Sequence, residues 1–270
     1  MKSLFDFYGL NGQPFPCKLD EPGKKFESND LKQVSAVLRY ALPELGISLI
    51  CGETGHGTSY AVYCATEPLS HSNFTVKYVP VCHICPRDFY RETCRVIGSS
   101  SMGRSRQAMI TAIRQGAMEL KKQGKPLILV LDNAQNLPDL VLWDLVTLAN
   151  GDFALENLMY LVLCGNKNLK YRIQQSENRT LEENLVAHYT LTGLSEKEVP
   201  AYVLNRILMA GGKKEMLGED TLNSLFDVSC RGNIRELNNI MRTALLIGAQ
   251  AGRSVIDRAI LRSAVEHRKL

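Results

Sequence analysis

A glycine-rich segment near residue 50 has the residue types of a phosphate-binding loop, with one exception. Residues 49–59 read Leu-Ile-Cys-Gly-Glu-Thr-Gly-His-Gly-Thr-Ser. An intact loop follows G-x-x-x-x-G-K-S/T: backbone N–H groups at a helix N-terminus surround the phosphates, the lysine bonds the β- and γ-phosphates, and the hydroxyl holds magnesium. Here Thr58 stands at the lysine position, and Ser59 keeps the hydroxyl. The candidate nucleotide-binding residues of this loop are Gly52, Glu53, Thr54, Gly55, His56, Gly57, Thr58 and Ser59.

A second candidate segment, residues 126–133, reads Pro-Leu-Ile-Leu-Val-Leu-Asp-Asn and predicts a buried parallel strand that ends in a carboxylate. In P-loop NTPases such an acid helps to hold the metal, and a glutamate directly after it often orients the attacking water. Asp132 is present, but Asn133 stands at the glutamate position. An amide bonds to water but does not accept its proton. We therefore predict that Ser59 and Asp132 hold magnesium only with nucleotide, and that Asn133 is a degenerate catalytic position.

Composition indicates a globular protein. The chain has 270 residues, of which 45% are hydrophobic, enough for one α/β domain and a smaller helical one. It contains no apolar run of membrane-spanning length, and its first residues lack a signal-peptide core, so we expect a cytoplasmic protein without membrane contact. Its eight cysteines are then expected to be reduced. Cys82-His83-Ile84-Cys85 has zinc-like spacing without a matching second pair, and we favour packed thiols there.

Hydrophobic periodicity predicts alternating strands and helices in the first two thirds of the chain. After a strand at Leu49-Ile50, the predicted order is a helix from Tyr60 to Ala65, a strand from Thr75 to Val81, a helix from Pro86 to Ile97, a turn from Gly98 to Gly103, a helix around Ala108 to Leu120, a strand from Leu127 to Leu131, a helix from Leu140 to Leu148, and a strand from Leu158 to Cys164. This alternation predicts an α/β fold, a doubly wound parallel sheet with its ligand at the carboxyl ends of the strands. From about Ser195 onward the pattern is helical only, which predicts a second, all-helical domain.

Six separated motifs occur in an order that is typical of one family. They are Phe7-Tyr8-Gly9-Leu10 with Pro14-Phe15, Phe26-Glu27-Ser28, Gly52 to Ser59, Asp132 to Leu137, Gly165-Asn166, and Gly232-Asn233-Ile234-Arg235. On these motifs nearly the whole chain resembles the ExeA/TniB/TnsC-like AAA+ ATPases, which include transposon-encoded target-selection ATPases and a secretion or pilus-assembly branch. The tail Ala244 to Gln250 looks closest to the transposon branch.

This resemblance implies a P-loop AAA+ fold with a C-terminal helical lid. The implied domains are an N-terminal segment (1–30) packing on the ATPase core, an α/β nucleotide-binding domain (31–194) and the lid (195–270). The implied cofactor is ATP or ADP with Mg²⁺, bound weakly or not at all by this chain.

Carried over residue by residue, the resemblance places the family's lysine on Thr58 and its catalytic glutamate on Asn133. Its arginine-bearing segment falls on residues 181–184, which read Leu-Glu-Glu-Asn and lack the arginine finger, a group that contributes a rate factor of about 10³ to 10⁵. Arg172 or Arg179 is the alternative finger.

Two family positions with a nucleotide role are retained, namely Asn166 after a strand and Arg235 in the helical region. The alternatives are a helix cap for Asn166 and a solvated helix-start arginine for Arg235. For His56 we favour a tolerated variable position over a replacement cation, because an unperturbed histidine is mostly neutral at neutral pH.

Positive charge is concentrated between residues 87 and 125. This region has nine Lys/Arg and three acidic residues, an excess of six, whereas the whole chain has a net charge of +4. A local basic region is typical of contact with a phosphate backbone, and a solvated helix face is the alternative. The candidate nucleic-acid contacts are Arg104, Arg106, Lys121 and Lys122.

Three functions therefore compete. The first is a hydrolysis-deficient AAA+ protein that binds double-stranded DNA, forms homo-oligomers and recruits a transposase-like or AAA+ paralogue partner. The second is an active, divergent ATPase of the transposon or secretion branch. The third is a structural subunit that docks on an intact AAA+ paralogue. We favour the first, because the replaced groups all serve one chemical step.

Overall fold

The computed structural model describes residues 4–16, 25–82, 85–99, 103–151, 156–229 and 231–268. His83, Ile84 and part of the predicted turn from Gly98 to Gly103 lie outside these ranges. The chain divides into two compact units. We call Leu31–Gly52 with Thr58–Leu191 the sheet unit, and Met1–Asp30 with Glu53–Gly57 and Thr192–Leu270 the helical unit.

The sheet unit is built on one parallel sheet. Its strands among the described residues are β1 Gly46–Gly52, β2 Thr75–Pro80, β3 Leu127–Asp132, β4 Tyr160–Asn166 and β5 Leu185–Leu191. Their order across the sheet is β2, β3, β4, β1, β5, and every neighbouring pair is parallel. The predicted doubly wound parallel sheet is confirmed. Periodicity did not predict β5, an edge strand whose side chains are mostly half-buried and therefore give a weak apolar signal.

Helices connect the strands and then continue alone. In the described residues they are α1 Leu4–Tyr8, α2 Asn29–Ala41, α3 Thr58–Ser70, α4 Pro86–Ile97, α5 Arg106–Lys122, α6 Asp139–Ala149, α7 Lys167–Ile173, α8 Arg179–Glu183, α9 Glu198–Met209, α10 Glu219–Val228, α11 Ile234–Gln250 and α12 Arg258–Glu266. Helices α9 to α12 belong to the helical unit, which agrees with the helix-only pattern of the C-terminal sequence.

The core of the sheet unit lies on both faces of the sheet. In β3, Leu127, Leu129 and Leu131 pack with α4 to α8, whereas Ile128 and Val130 pack with α2 and α3. Burial on both faces explains why this strand reads as a continuous apolar run. Close packing of these side chains on both faces helps to fix the strand register, and therefore the place where each strand ends.

The core of the helical unit joins the N-terminal segment to α9 to α12. Tyr8, Leu10 and Phe15 are buried in it. The Tyr8 hydroxyl donates to the Leu245 carbonyl at 3.1 Å, and Arg206 Nε donates to the Pro14 carbonyl at 2.8 Å. The predicted domain boundaries and the predicted packing of residues 1–30 on the ATPase core stay predictions.

A buried polar cluster ties together three helices of the sheet unit. Asp144 of α6 accepts hydrogen bonds from the Tyr90 hydroxyl of α4 and from the guanidinium of Arg106 of α5, whose Nε lies 2.8 Å from Oδ2. Burial and the adjacent carboxylate raise the pKa of Tyr90, so the phenol stays protonated and donates. The guanidinium of Arg106 is therefore held in place by the Asp144 carboxylate.

We expect Asp144→Ala to lower the free energy of unfolding by about 2–4 kcal/mol, because it leaves the Tyr90 hydroxyl buried without an acceptor and removes the partner of a half-exposed arginine. The matched control is Asp139→Ala, whose carboxylate is 66% exposed and pairs with Arg172; we expect less than about 1 kcal/mol. Urea denaturation measures both, and equal losses would contradict a stabilising role for the cluster.

Candidate nucleotide-binding site

Several predicted site residues lie at the carboxyl edge of the sheet. Strands β1, β3 and β4 end at Gly52, Asp132 and Asn166, with Gly52 paired to Asn166 and Asp132 paired to Cys164. Three segments far apart in sequence therefore meet at one edge, as in other open parallel sheets that bind ligands there.

The two predicted magnesium ligands are in direct contact. Ser59, in the first turn of α3, donates from Oγ to Asp132 Oδ1 at 2.7 Å. A hydroxyl and a carboxylate are the hard oxygen ligands that Mg²⁺ takes beside nucleotide phosphates, so these residues fit the ion. Cys164 lies beside them, and burial together with the Asp132 carboxylate raises the pKa of its thiol well above the ordinary value. The thiol is therefore neutral.

Asn133 adopts a left-handed backbone conformation with φ of 58°, which asparagine tolerates better than most residues. Its N–H donates to Asp132 Oδ1 at 3.0 Å, and its side-chain oxygen accepts a hydrogen bond from Gln135 at 3.4 Å. Asn133, which we predict to stand at the position of a catalytic glutamate, thus carries a neutral amide bonded to another amide.

Gln135 connects the two strand ends and was not predicted as a site residue. Its Oε1 accepts the Asn166 N–H at 3.2 Å, and a Cβ on Gly165 would lie 2.4 Å from the same oxygen. Asn166 in turn accepts the Asn168 N–H at 3.0 Å, so its side chain caps α7. The alternative of a helix cap is thus realised, and a nucleotide role for Asn166 stays a prediction. The motif from Asp132 to Leu137 contained Gln135, but its partner becomes visible only in the fold.

The alternative finger arginines have partners within the sheet unit. Arg172 donates to the Gln135 carbonyl at 2.7 Å and to Asp139. Arg179 begins α8 and pairs with Glu183 at 2.7 Å, with both side chains mostly exposed. An exposed pair of this kind is weak, so Arg179 remains available to a neighbouring molecule. The finger assignment stays a prediction.

Thr58, which we predict to stand at the lysine position, is the first residue of α3. Thr58 is buried, and a Cβ on Gly52 would lie 3.0 Å from its Oγ1 and 3.0 Å from Leu191 Cβ. Only glycine fits at Gly52 without a shift of these neighbours. The short hydroxyl side chain of Thr58 therefore lies against the end of β1 and carries no charge.

The loop residues 53–57 pack within the helical unit. The Thr54 carbonyl accepts a hydrogen bond from Asn233 Nδ2 at 2.8 Å, and the Gly55 carbonyl accepts one from the Arg235 N–H at 3.1 Å. Gly55 and Gly57 have φ of 98° and 85°, values that favour glycine. The side chain of Arg235 is exposed; its role toward nucleotide stays a prediction.

His56 faces the segment after β5. It is buried, and its Nε2 would lie 3.2 Å from a Cβ on Gly193. The Leu194 N–H donates to the Gly232 carbonyl at 3.0 Å, and a Cβ on Gly232 would lie 1.9 Å from the Leu194 carbonyl oxygen. His56 therefore packs against close backbone contacts, which favours a structural role over a replacement cation.

The candidate nucleic-acid contacts differ in their partners. Arg106 is bound by Asp144, and Lys121 Nζ donates to Glu156 at 2.7 Å and to the Asn157 carbonyl at 2.9 Å. Arg104 and Lys122 are exposed. Exposed side chains are the better candidates for a phosphate backbone, and all four residues stay predictions.

Comparisons with known proteins agree with this arrangement. Residues 44–173 match a family model described as an AAA domain. Over 247 residues the chain is 27% identical to General secretion pathway protein A of Aeromonas hydrophila, in an alignment that covers 91% of this chain and 44% of that protein. The chain thus spans less than half the length of that relative.

Solved structures share the fold. Cdc6p from Pyrobaculum aerophilum superposes with a TM-score of 0.70 at 17% identity, covering 94% of this chain and 68% of that one. The ORC1 protein of Aeropyrum pernix in complex with DNA gives 0.65 at 16% identity, covering 98% and 69%. The fold is a P-loop AAA+ fold with a helical C-terminal region. Together these findings support a relationship of this chain to the AAA+ ATPases. The likeness to the Aeromonas protein supports the ExeA-like part of the resemblance.

Two features are absent from the part of the chain that the structure describes. No helix there is long and apolar enough to cross a membrane. No group of three or more His, Cys, Asp or Glu side chains there has an arrangement that would hold a metal ion by itself.

We expect Gly232→Ala to destabilise the protein more than Gly124→Ala. Both glycines have positive φ, 87° and 74°, so both variants incur the left-handed backbone cost of about 1–2 kcal/mol. Only the Gly232 variant adds a clash with the Leu194 carbonyl, since Gly124 has nothing within 4 Å; we expect about 1–3 kcal/mol more. Chemical denaturation gives the difference, and equal losses would show that the contact between residues 194 and 232 relaxes freely.

Proposed function

We propose that this chain is an AAA+ ATPase-type protein that binds ATP or ADP weakly, hydrolyses it very slowly or not at all, and acts as a DNA-binding oligomeric regulator that recruits a partner protein. The proposal rests on which residues of the candidate nucleotide site are retained and which are replaced. The Ser59 and Asp132 pair of a nucleotide site is retained at 2.7 Å, whereas the lysine and glutamate positions hold Thr58 and Asn133.

The retained residues support binding, and the replaced residues argue against turnover. A nucleotide would be held by backbone N–H groups of the loop, with Mg²⁺ on Ser59 and Asp132. The ion, when bound, supplies charge neutralisation of the phosphates. Thr58 cannot add a cation, and Asn133 cannot accept a proton from water. Transition-state stabilisation and nucleophile orientation would thus both be weakened.

The DNA part of the proposal rests on charge. The region from Arg87 to Lys125 carries an excess of six positive charges, nine minus three, and its Arg104 and Lys122 are exposed. The likeness to the DNA-bound ORC1 protein supports the same partner class by analogy of fold. The proposed partners are double-stranded DNA, further copies of this chain, and a transposase-like protein or an AAA+ paralogue.

One alternative is favoured by a specific observation. The likeness to General secretion pathway protein A favours the secretion branch over the transposon branch, and an active divergent ATPase is the corresponding function. Docking as a structural subunit on an intact AAA+ paralogue remains the third possibility, in which neither ATP nor DNA binds.

We expect calorimetry with ATP and Mg²⁺ to show weak binding, and turnover to equal the background rate. Thr58→Lys should tighten ATP binding about tenfold or more, because it restores a charge-assisted hydrogen bond to the phosphates, while turnover stays low because the glutamate is still missing. Thr147→Lys, an exposed position on α6, controls for added charge. Ready hydrolysis by the unmodified protein, abolished by Asp132→Ala, would establish the active alternative.

We expect duplex binding to weaken steeply with salt and to show little sequence preference, because phosphate contacts position a protein without reading bases. Replacing Arg104 and Lys122 together by alanine should lower the affinity and reduce the slope of log K against log salt by about 0.9 for each phosphate that is no longer neutralised. Arg106→Ala is less suitable, since it also breaks the Asp144 cluster.

Fluorescence anisotropy on two unrelated duplexes over a salt series measures this expectation. The double variant Lys213→Ala with Lys214→Ala removes the same charge from the helical unit and should leave the slope unchanged. Unchanged affinity after replacement of Arg104 and Lys122 would remove them from the interface. Absence of binding even at low salt would favour the docking subunit.

A further inference from the structure

Asn233 uses both ends of its side-chain amide. Its Oδ1 accepts the Glu236 N–H at 3.1 Å, which caps α11, and its Nδ2 donates to the Thr54 carbonyl at 2.8 Å. The cap determines which end of the amide faces the helix. The Nδ2 end of the Asn233 amide therefore faces the loop residues 53–57.

The loop is shaped to admit this side chain. A Cβ on Gly55 would lie 2.3 Å from Asn233 Oδ1 and 2.8 Å from its Nδ2, which is too close for any other residue without a shift. The next peptide is held as well, since the Arg235 N–H donates to the Gly55 carbonyl at 3.1 Å. Two successive loop carbonyls therefore point toward the N-terminus of α11.

The start of α11 is itself anchored within the helical unit. The N–H of Asn233 donates to the Ser229 carbonyl at 2.9 Å, and the Gly232 N–H donates to the Ser229 hydroxyl at 3.1 Å. The buried Asp30 carboxylate accepts the N–H groups of Thr192 at 3.0 Å and Gly193 at 2.8 Å. Residue 194, directly after them, is bonded to Gly232. The backbone of Asn233 is therefore held in place by hydrogen bonds while its side chain bonds to the loop.

The geometry of the peptide between Thr54 and Gly55 determines where the Gly55 N–H points. In a planar trans peptide the C=O and the N–H point in opposite directions. When Asn233 holds the Thr54 carbonyl, the Gly55 N–H of the same peptide points away from α11. Backbone N–H groups of this kind are what a glycine-rich loop offers to phosphate. An unsupported loop would sample both peptide orientations, because glycine at 55 permits them.

We propose that Asn233 is a positioning residue for the nucleotide loop, which orients the Gly55 N–H toward phosphate by holding the Thr54 carbonyl. The inference rests on the proposed nucleotide binding. Absence of the lysine makes the backbone groups a larger share of the groups that can bind phosphate, so the loop depends more on this hydrogen bond than an intact loop would.

Two substitutions separate this role from the helix cap. Asn233→Asp and Asn233→Ser both keep an oxygen that caps α11, since Asp, Ser and Asn cap helices comparably well. Neither keeps the donor to Thr54, because a carboxylate has no N–H and the serine side chain is shorter. Serine adds no charge, so an effect shared by both variants is not caused by repulsion. Asn223→Asp, exposed on α10, controls for the charge.

The first measurement is hydrogen–deuterium exchange of the whole chain without nucleotide. In both Asn233 variants we expect the peptide that covers residues 53–57 to exchange about two- to tenfold faster, the effect of removing one hydrogen bond on local opening. The peptides of α11 and α12 and the unfolding temperature should stay as in the unmodified protein. Unchanged exchange in residues 53–57 would overturn the proposal, and faster exchange throughout α11 would show that the variants act through the cap and would overturn it as well.

The second measurement is ADP affinity by calorimetry, with the unmodified protein as the parent. We expect both Asn233 variants to bind about two- to tenfold more weakly than this parent, and Asn223→Asp to bind equally well. Faster loop exchange together with unchanged ADP affinity would overturn the positioning role. If no variant binds nucleotide while the loop still loosens, the proposed function fails and the hydrogen bond to the loop itself stands.

Discussion

The hydrogen bond between Ser59 and Asp132 depends on the strand order and on the core packing of the sheet unit. Its two residues lie on different elements, one in the first turn of α3 and one at the end of β3. They meet because β4 lies between β1 and β3, which brings the carboxyl ends of all three strands to one edge. That alignment is maintained by the close packing of apolar side chains on both faces, since a slip of one residue would exchange side chains of different shape between the two cores. The site is thus a product of core packing.

The loop residues 53–57 have a second, independent constraint. Their carbonyls are bonded to Asn233 and to the backbone of Arg235, and glycines at 55, 193 and 232 leave the space that these close approaches require. The covalent chain connects this loop to Gly52 on one side and to Thr58 on the other. Contacts within the helical unit therefore act on the conformation of this short segment.

The sequence was sufficient for features that depend on neighbours along the chain. The strand ending at Asp132 could be predicted because both of its faces are buried and its apolar run is continuous. The edge strand β5 lacks that property, with only half-buried side chains over most of its length. The partners of Arg106 and Asn166 could not be predicted, since Asp144 lies 38 residues from Arg106 and Gln135 lies 31 residues from Asn166. Charge counting placed Arg106 among exposed cations, whereas the fold brings a carboxylate to it.

The two replacements at the site also balance each other electrostatically. An intact site of this kind carries a lysine at position 58 and a glutamate at position 133, of opposite charge, and this chain has neither. Replacing the lysine alone would leave two neighbouring carboxylates without a cation, whereas replacing both groups leaves the net charge of the site as it is in an intact one. A charge without a partner in a partly buried place is costly. With both groups replaced, Asp132 is the remaining anion, and the Ser59 hydroxyl and the Asn133 N–H donate to it. The pair of substitutions is therefore compatible with a stable fold.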